Sequence, residues 1–180
     1  NQGTLTITNS TISGNSGNGG GGFLNNGTLT IANSIVGGNN GGLGGGGGIG
    51  IASNVPSTVT ITNSTVSGNT AGSGGGIFAG GKVTLTNSTV TGNTADAGSA
   101  IRVWSGTTEL VNTIIAGTTG LNCSGPISSL GHNLGSDGTC GLTVASGDLP
   151  NTDPLLGPLQ DNGGPTLTHA LLSGSPAIDA

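Results

Sequence analysis

One thirteen-residue pattern recurs along the chain and limits what it can fold into: Ser57 to Asn69 (STVTITNSTVSGN). Copies run from Gly3 to Asn15, Gly27 to Asn39 and Gly81 to Asn93, with a decayed copy from Gly106 to Thr118. The marker asparagines Asn9, Asn33, Asn63, Asn87 and Asn112 are spaced by 24, 30, 24 and 25 residues. A period of that size signals a solenoid, in which each repeat buries its apolar face only by stacking on the next.

The period inside the repeat decides which solenoid. Thr-Leu-Thr-Ile-Thr alternates polar and apolar residues with a β-branched bias, as a strand with one buried face does, and no window offers helical spacing. Each repeat reads as a strand, an Asn-centred corner, a short strand, a Gly-rich corner and a third short strand. The expected fold is therefore all-β: a right-handed parallel β-helix of about five turns, stacked at about 4.8 Å. Inward columns are predicted at Leu5, Leu29, Val59 and Val83, at Ile7, Ile31, Ile61, Leu85 and Leu110, and at Ile12, Val36, Val66, Val90 and Ile115. Phe23, Ile49 or Ile51, Ile77 and Ile101 would supply the third strand.

A narrow rod needs few aromatics, which suits two Phe, one Trp and no Tyr. The forty glycines would suggest disorder if scattered, but their densest tracts share one place in the repeat, where tight corners need positive φ or close backbone approach. The 30-residue spacing marks one longer turn, with its extra length in Gly41 to Pro56, which should protrude or broaden one corner. Residues 1–118 are read as the turns, 119–141 as a disulfide-pinned extension and 142–180 as a packing tail, all one structural domain. In the tail, five prolines forbid long ladders while the leucines need burial, so an extended Pro/Leu-rich segment along a face or over the last turn is expected.

Two basic residues against seven acidic ones give a formal net charge of −5, without the cationic footprint nucleic acid requires. No apolar run approaches a membrane span. Cys123 and Cys140 fit neither CxxC nor a zinc spacing, so a disulfide in an oxidising compartment is preferred over two free thiols. The chain is read as a mature or excised piece of a secreted precursor.

The repeats resemble those of secreted right-handed parallel β-helix proteins of the polymorphic-outer-membrane-protein kind. The segment from Leu130 (LGHNLGSDGTCG) through Asn151 (NTDPLLGPLQDNGGPTLTHALLSGSPAIDA) is similar to the end of the β-helix in bacterial surface proteins of the choice-of-anchor type. The resemblance implies an extracellular or cell-surface location and a structural or adhesive role, and assigns no catalytic residue.

The sharpest alternative is a polysaccharide lyase or hydrolase, whose site needs carboxylates converging on one sheet face. Inside the repeats the charged residues are Lys82, Asp96, Arg102 and Glu109, and Lys82 and Glu109 are placed for a surface ion pair. His132 and His169 read as hydrogen-bonded loop residues, so no catalytic residue and no metal ligand is assigned. The glycine tracts lack the Asp of a calcium-binding nonapeptide. Asp137, Asp148, Asp153 and Asp161 are read as turn-formers, one Ca²⁺ among them being the weaker alternative.

Asn9, Asn33, Asn63, Asn87 and Asn112 are expected to form a side-chain amide ladder from turn to turn. Asn9, Asn63, Asn87, Asn26 and Asn122 satisfy N-x-S/T, and Asn26 and Asn122 are expected to be the more accessible glycan acceptors. The outward Thr columns (Thr4, Thr28, Thr58; Thr6, Thr30, Thr60, Thr84; Thr8, Thr62, Thr86) resemble the surface of ice-binding solenoids, a third functional class, interrupted by Lys82, Ala32 and Glu109. Thr4, Leu5, Thr6 and Ile7 form an uncapped edge at which head-to-tail self-association into filaments is expected, with surface glycans as further partners.

Overall fold

The computed structural model describes residues 1–117 and 119–178, so the end of the decayed repeat (Thr118) and of the tail (Asp179, Ala180) lie outside the described residues. Three parallel sheets run along a rod. The first holds β1 (Thr4–Thr8), β4 (Thr28–Ala32), β7 (Thr58–Thr62), β10 (Lys82–Thr86), β13 (Thr107–Val111) and β16 (Ser128–Ser129), in that spatial order. The second holds β2 (Thr11–Ser13), β5 (Ile35–Gly37), β8 (Thr65–Ser67), β11 (Thr89–Thr91), β14 (Ile114–Ala116) and β17 (Leu134–Gly135). The third holds β3 (Phe23–Asn25), β6 (Ile49–Ile51), β9 (Ile77–Ala79), β12 (Ile101–Val103) and β15 (Cys123–Ser124). Every third strand pairs with its counterpart one turn away, so the sequence repeat is one turn of a β-helix.

Register puts the predicted columns in place. Leu5 pairs with Leu29, Leu29 with Val59 and Val59 with Val83, while Ile7, Ile31, Ile61, Leu85 and Leu110 follow one another in the same way. Ile12, Val36, Val66, Val90 and Ile115 form the column of the second sheet. In the third, Phe23, Ile49, Ile77 and Ile101 align, while Ile51 pairs with the buried Asn25 and Ala79 with Val103, all four turned inward. Ile61, Leu85 and Leu110 are completely buried, and each such side chain contributes roughly 1.5–3 kcal/mol of transfer free energy.

The extra length of the second turn is divided between two corners rather than gathered in one protrusion. Residues 38–48 join β5 to β6 where the shorter 14–22 join β2 to β3, and 52–57 join β6 to β7 where only 26–27 join β3 to β4. The sheets also continue past residue 118 through β15, β16 and β17. A disulfide joins Cys123 to Cys140, tying β15 to a 3-10 turn (Gly138–Cys140).

The tail is a hairpin rather than an extended segment. β18 (Leu156–Gln160) and β19 (Thr168–Leu171) pair antiparallel, with an irregularity between Leu156 and Leu159 that accommodates Pro158. It folds back on the outside of the second sheet, where His169 reaches Ser67 of β8. On that face Ile35, Thr65, Ser67, Thr91 and Ala116 are buried although they point away from the core, whereas Thr11 and Ser13 of the first turn are exposed.

Candidate functional site

Two asparagine columns run along the rod, and the buried one is not the one the repeat suggests. Asn9, Asn33, Asn63, Asn87 and Asn112 are exposed and share a left-handed backbone with φ between 48° and 50°. Asparagine suits that corner because its short side chain tolerates positive φ. Asn63 to Asn33 (3.4 Å) and Asn112 to Asn87 (3.1 Å) exchange amide hydrogen bonds among the described residues, so the expected ladder forms at two of the four steps of this column. His132, with φ 57°, takes the same place one turn further on, where Asn112 N–H donates to Gly131 O.

A second, buried ladder, unbroken over four turns, lies six residues later in each repeat. Asn15 Nδ2 donates to Asn39 Oδ1 (3.0 Å), Asn39 Nδ2 to Asn69 Oδ1 (3.0 Å) and Asn69 Nδ2 to Asn93 Oδ1 (2.9 Å). Each of those oxygens also accepts the backbone N–H of the preceding asparagine, and Asn39, Asn69 and Asn93 donate again to the carbonyls of Ile12, Val36 and Val66. Asn69 and Asn93 are fully buried, so these bonds satisfy polar groups that would otherwise be orphaned. A serine column runs beside it: Ser34, Ser64 and Ser88 Oγ accept the N–H of Ser10, Ser34 and Ser64.

Asn122 extends the ladder's role and is therefore not an accessible glycan acceptor. It is 1% exposed, with Nδ2 donating to Ile115 O (3.4 Å) and Ser136 Oγ (2.8 Å). Asn26 is half-buried and its Oδ1 is buried without a partner.

The titratable groups are dispersed. Lys82 Nζ and Glu109 Oε2 pair at 3.2 Å on the outside of the first sheet, while Asp96 is exposed at a corner. The tail aspartates each organise local backbone: Asp137 accepts from Asn122 N–H and Thr139, Asp153 from Leu155 N–H and Asp161 from Gly163 N–H. Asp148 is 1% exposed and receives Ser129 Oγ–H, Asn133 N–H, Asn133 Nδ2–H and Thr143 N–H. Burial pushes its pKa up, but these bonds to the charged form outweigh that and hold it below the usual 3.8. Among the described residues no group of three His, Cys, Asp or Glu is gathered to hold a metal.

His169, half-buried, fastens the tail to the rod. Its Nδ1 lies 2.8 Å from Gly157 O, which can only accept, so Nδ1 donates there, and Nε2 shares a hydrogen bond with Ser67 Oγ (2.9 Å). Ser67 is 6% exposed between sheet and hairpin, so the pair acts as a clasp. A cavity of about 260 Å³ lies nearby, bounded by Asn112, Ile114 and His132 on the rod and by Leu171 and Ala177 of the tail.

What is most site-like is on the third sheet. Phe78 and Arg102 are outward neighbours in register, Trp104 follows β12, and the Phe78 and Trp104 rings stack with centroids 6.3 Å apart. The Arg102 guanidinium lies 5.8 Å from the Trp104 ring and its Nη1 donates to Ser124 Oγ. Trp104 is 64% exposed. Isolated aromatics carry no periodic signal, so repeat analysis missed this cluster; the signal present was that Trp104 lies where the 25-residue spacing adds a residue.

Stacked three-strand turns with inward aliphatic columns and an internal asparagine ladder define a right-handed parallel β-helix. The model of the family described as right handed beta helix region matches residues 1–119, and the chain belongs to that family. No curated protein and no solved structure matches the chain.

Proposed function

We propose that this chain is a non-enzymatic, extracellular structural or adhesive β-helix. The observation that carries this reading is where the polar chemistry goes. Asn15, Asn39, Asn69 and Asn93, with the serine column beside them, join turn to turn along the rod, an arrangement that resists bending and unwinding rather than one that presents reactive groups. The Cys123–Cys140 disulfide at the end of the sheets fits an oxidising compartment. The family fold hosts both enzymes and non-enzymes, so the competing reading is a glycan-cleaving enzyme. Prolonged incubation with pectic, alginate and neutral glycans, followed by quantification of new chain ends, separates the two. The proposal expects none above buffer. Sustained release that disappears in Asp96→Asn or Glu109→Gln would replace it with an enzyme.

A further inference from the structure

On the outside of the second sheet one column runs Thr11, Ile35, Thr65, Thr89, Ile114 and Leu134 from turn to turn. Only at its end do two bulky aliphatic side chains follow one another. Leu149 joins them there, bridged to Leu134 and donating its N–H to Asn133 O. These three make an aliphatic floor, and the tail crosses over it, with Leu171 of β19 and Ala177 as the roof. Floor and roof do not meet: the space between them is the cavity of about 260 Å³, partly open to solvent.

Two side chains at the rim have hydrogen-bonding capacity to spare. His132 stands, with φ 57°, at the left-handed corner that asparagine holds in every earlier turn. Its imidazole lies against the bare backbone of Gly147, where an added Cβ would sit 3.2 Å from the ring. The His132 backbone N–H donates to Ser146 O, but among the described residues neither ring nitrogen has a partner. Asn112 gives its Nδ2 to Asn87 Oδ1, and its own Oδ1 accepts from no group among the described residues. The other polar groups of the wall are occupied: Thr113 Oγ1 donates to Val111 O, Asn133 Oδ1 accepts from Thr113 N–H, and Asn133 Nδ2 donates to Leu110 O and Ser129 Oγ. Neither Lys82 nor Arg102 lines the cavity, and the charge behind its wall is the Asp148 carboxylate bound to Asn133.

We infer that the cavity between rod and tail binds a small, uncharged ring compound carrying one hydroxyl group, a phenol or a cyclic alcohol. Size sets the body of the ligand: an apolar cavity of about 150 Å³ already takes up benzene, so this one accommodates a six-membered ring with its substituent. The lining sets its polarity, because Ile114, Leu134, Leu149 and Leu171 offer a ring apolar contact and nothing else. The rim sets the functional group. A hydroxyl donates and accepts at once, so it can donate to Asn112 Oδ1 while accepting from a ring N–H of His132. A carboxylate would meet neither Lys nor Arg, would face the Asn112 oxygen and would have Asp148 behind the wall. This goes beyond the structural role proposed above. A ligand there touches rod and tail together, and by binding only the closed arrangement it fastens the hairpin to the second sheet.

Three probes share one ring and differ in the group it carries: benzene, phenol and benzoate. The folded chain is titrated with each while its imidazole proton signals are followed by NMR, and two histidines give only two sets of them. Saturable binding of phenol is expected, shifting the His132 signals and leaving those of His169, held by Ser67 and Gly157, in place. Phenol should bind about fivefold more tightly than benzene, the effect of one net hydrogen bond, and about tenfold more tightly than benzoate. His132→Asn restores the residue the repeat uses at this corner. Saturation transfer from protein to ligand should then show benzene bound as before and phenol no better than benzene. Ala177→Phe puts a ring of the chain's own into the cavity and should abolish binding of all three probes, with unmoved His169 signals showing the hairpin still seated. Saturating phenol should also slow hydrogen exchange across β18 and β19, and unchanged exchange would overturn the fastening. Phenol binding that survives Ala177→Phe would overturn the site. Benzoate bound as tightly as phenol would overturn the ligand class. No saturable binding of any probe to the wild-type chain would make the cavity a packing void and overturn the inference, leaving the structural reading standing.

Discussion

Two asparagines per repeat, six residues apart, do opposite jobs, and the backbone decides which. Asn63 turns a corner with φ 48° and points to solvent, whereas Asn69 follows Gly68, whose φ of 67° swings the chain so that the next side chain enters the rod. Asn69→Ala removes two amide donors and leaves the backbone N–H and side chain of Asn39 without their acceptor, which should cost roughly 3 kcal/mol in urea unfolding. Asn63→Gly keeps the left-handed corner and should stay within about 0.5 kcal/mol of wild type. Equal losses would mean that the ladder had been assigned to the wrong column. Both asparagines recur once per turn, so periodicity alone does not separate them. The glycine preceding Asn15, Asn39, Asn69 and Asn93 was the legible difference, because only a left-handed residue there turns an asparagine inward.

Asp148 gives the residue scale its pH dependence. Its folded pKa lies below the usual 3.8, so its contribution to stability is complete above 3.8 and is lost as pH falls through the lower, folded value. Acid titration of the melting temperature should therefore show a loss below pH 3.8 that Asp148→Asn makes shallower. A variant with an unchanged acid slope would contradict this.

At the scale of elements, alternation was enough to place the first strand of every turn, since Leu29, Val59 and Val83 fall in register without adjustment. The shorter strands were legible only through their single inward residue, as with Val66 and Val90. The hairpin was not legible: β18 contains Pro158 and a register irregularity, and its partner β19 shows no clean alternation. Its prolines indicated a break in regular pairing but not that Leu156 and Leu171 would face each other. The disulfide acts on an element too, pinning β15 where the third sheet ends. Closing a loop with a sequence separation of 17 is worth roughly 3 kcal/mol, so reduction should lower stability by about that much. Hydrogen exchange should show the loss concentrated in β15 to β17, because a solenoid's turns contact only their neighbours. Uniform loosening from β4 to β17 would show that the turns do not behave as separable units.

At the scale of the whole molecule, the account makes one claim on which the rest depends: each repeat is a turn, and alternate residues of its first strand face a common core. Neighbouring residues must then respond oppositely to the same change. Ile61 is completely buried in the middle of its column, between Ile31 and Leu85, while Thr60 is exposed between Thr30 and Thr84. An aspartate at 61 would be an unpaired carboxylate in an aliphatic column, and one at 60 would stay in water. The direct measurement is urea unfolding of Ile61→Asp beside Thr60→Asp. The predicted result is a loss of several kcal/mol, or failure to fold, for the first and a change within about 1 kcal/mol for the second. Comparable destabilisation by both would contradict the inward and outward assignment and the stacked-turn architecture built on it.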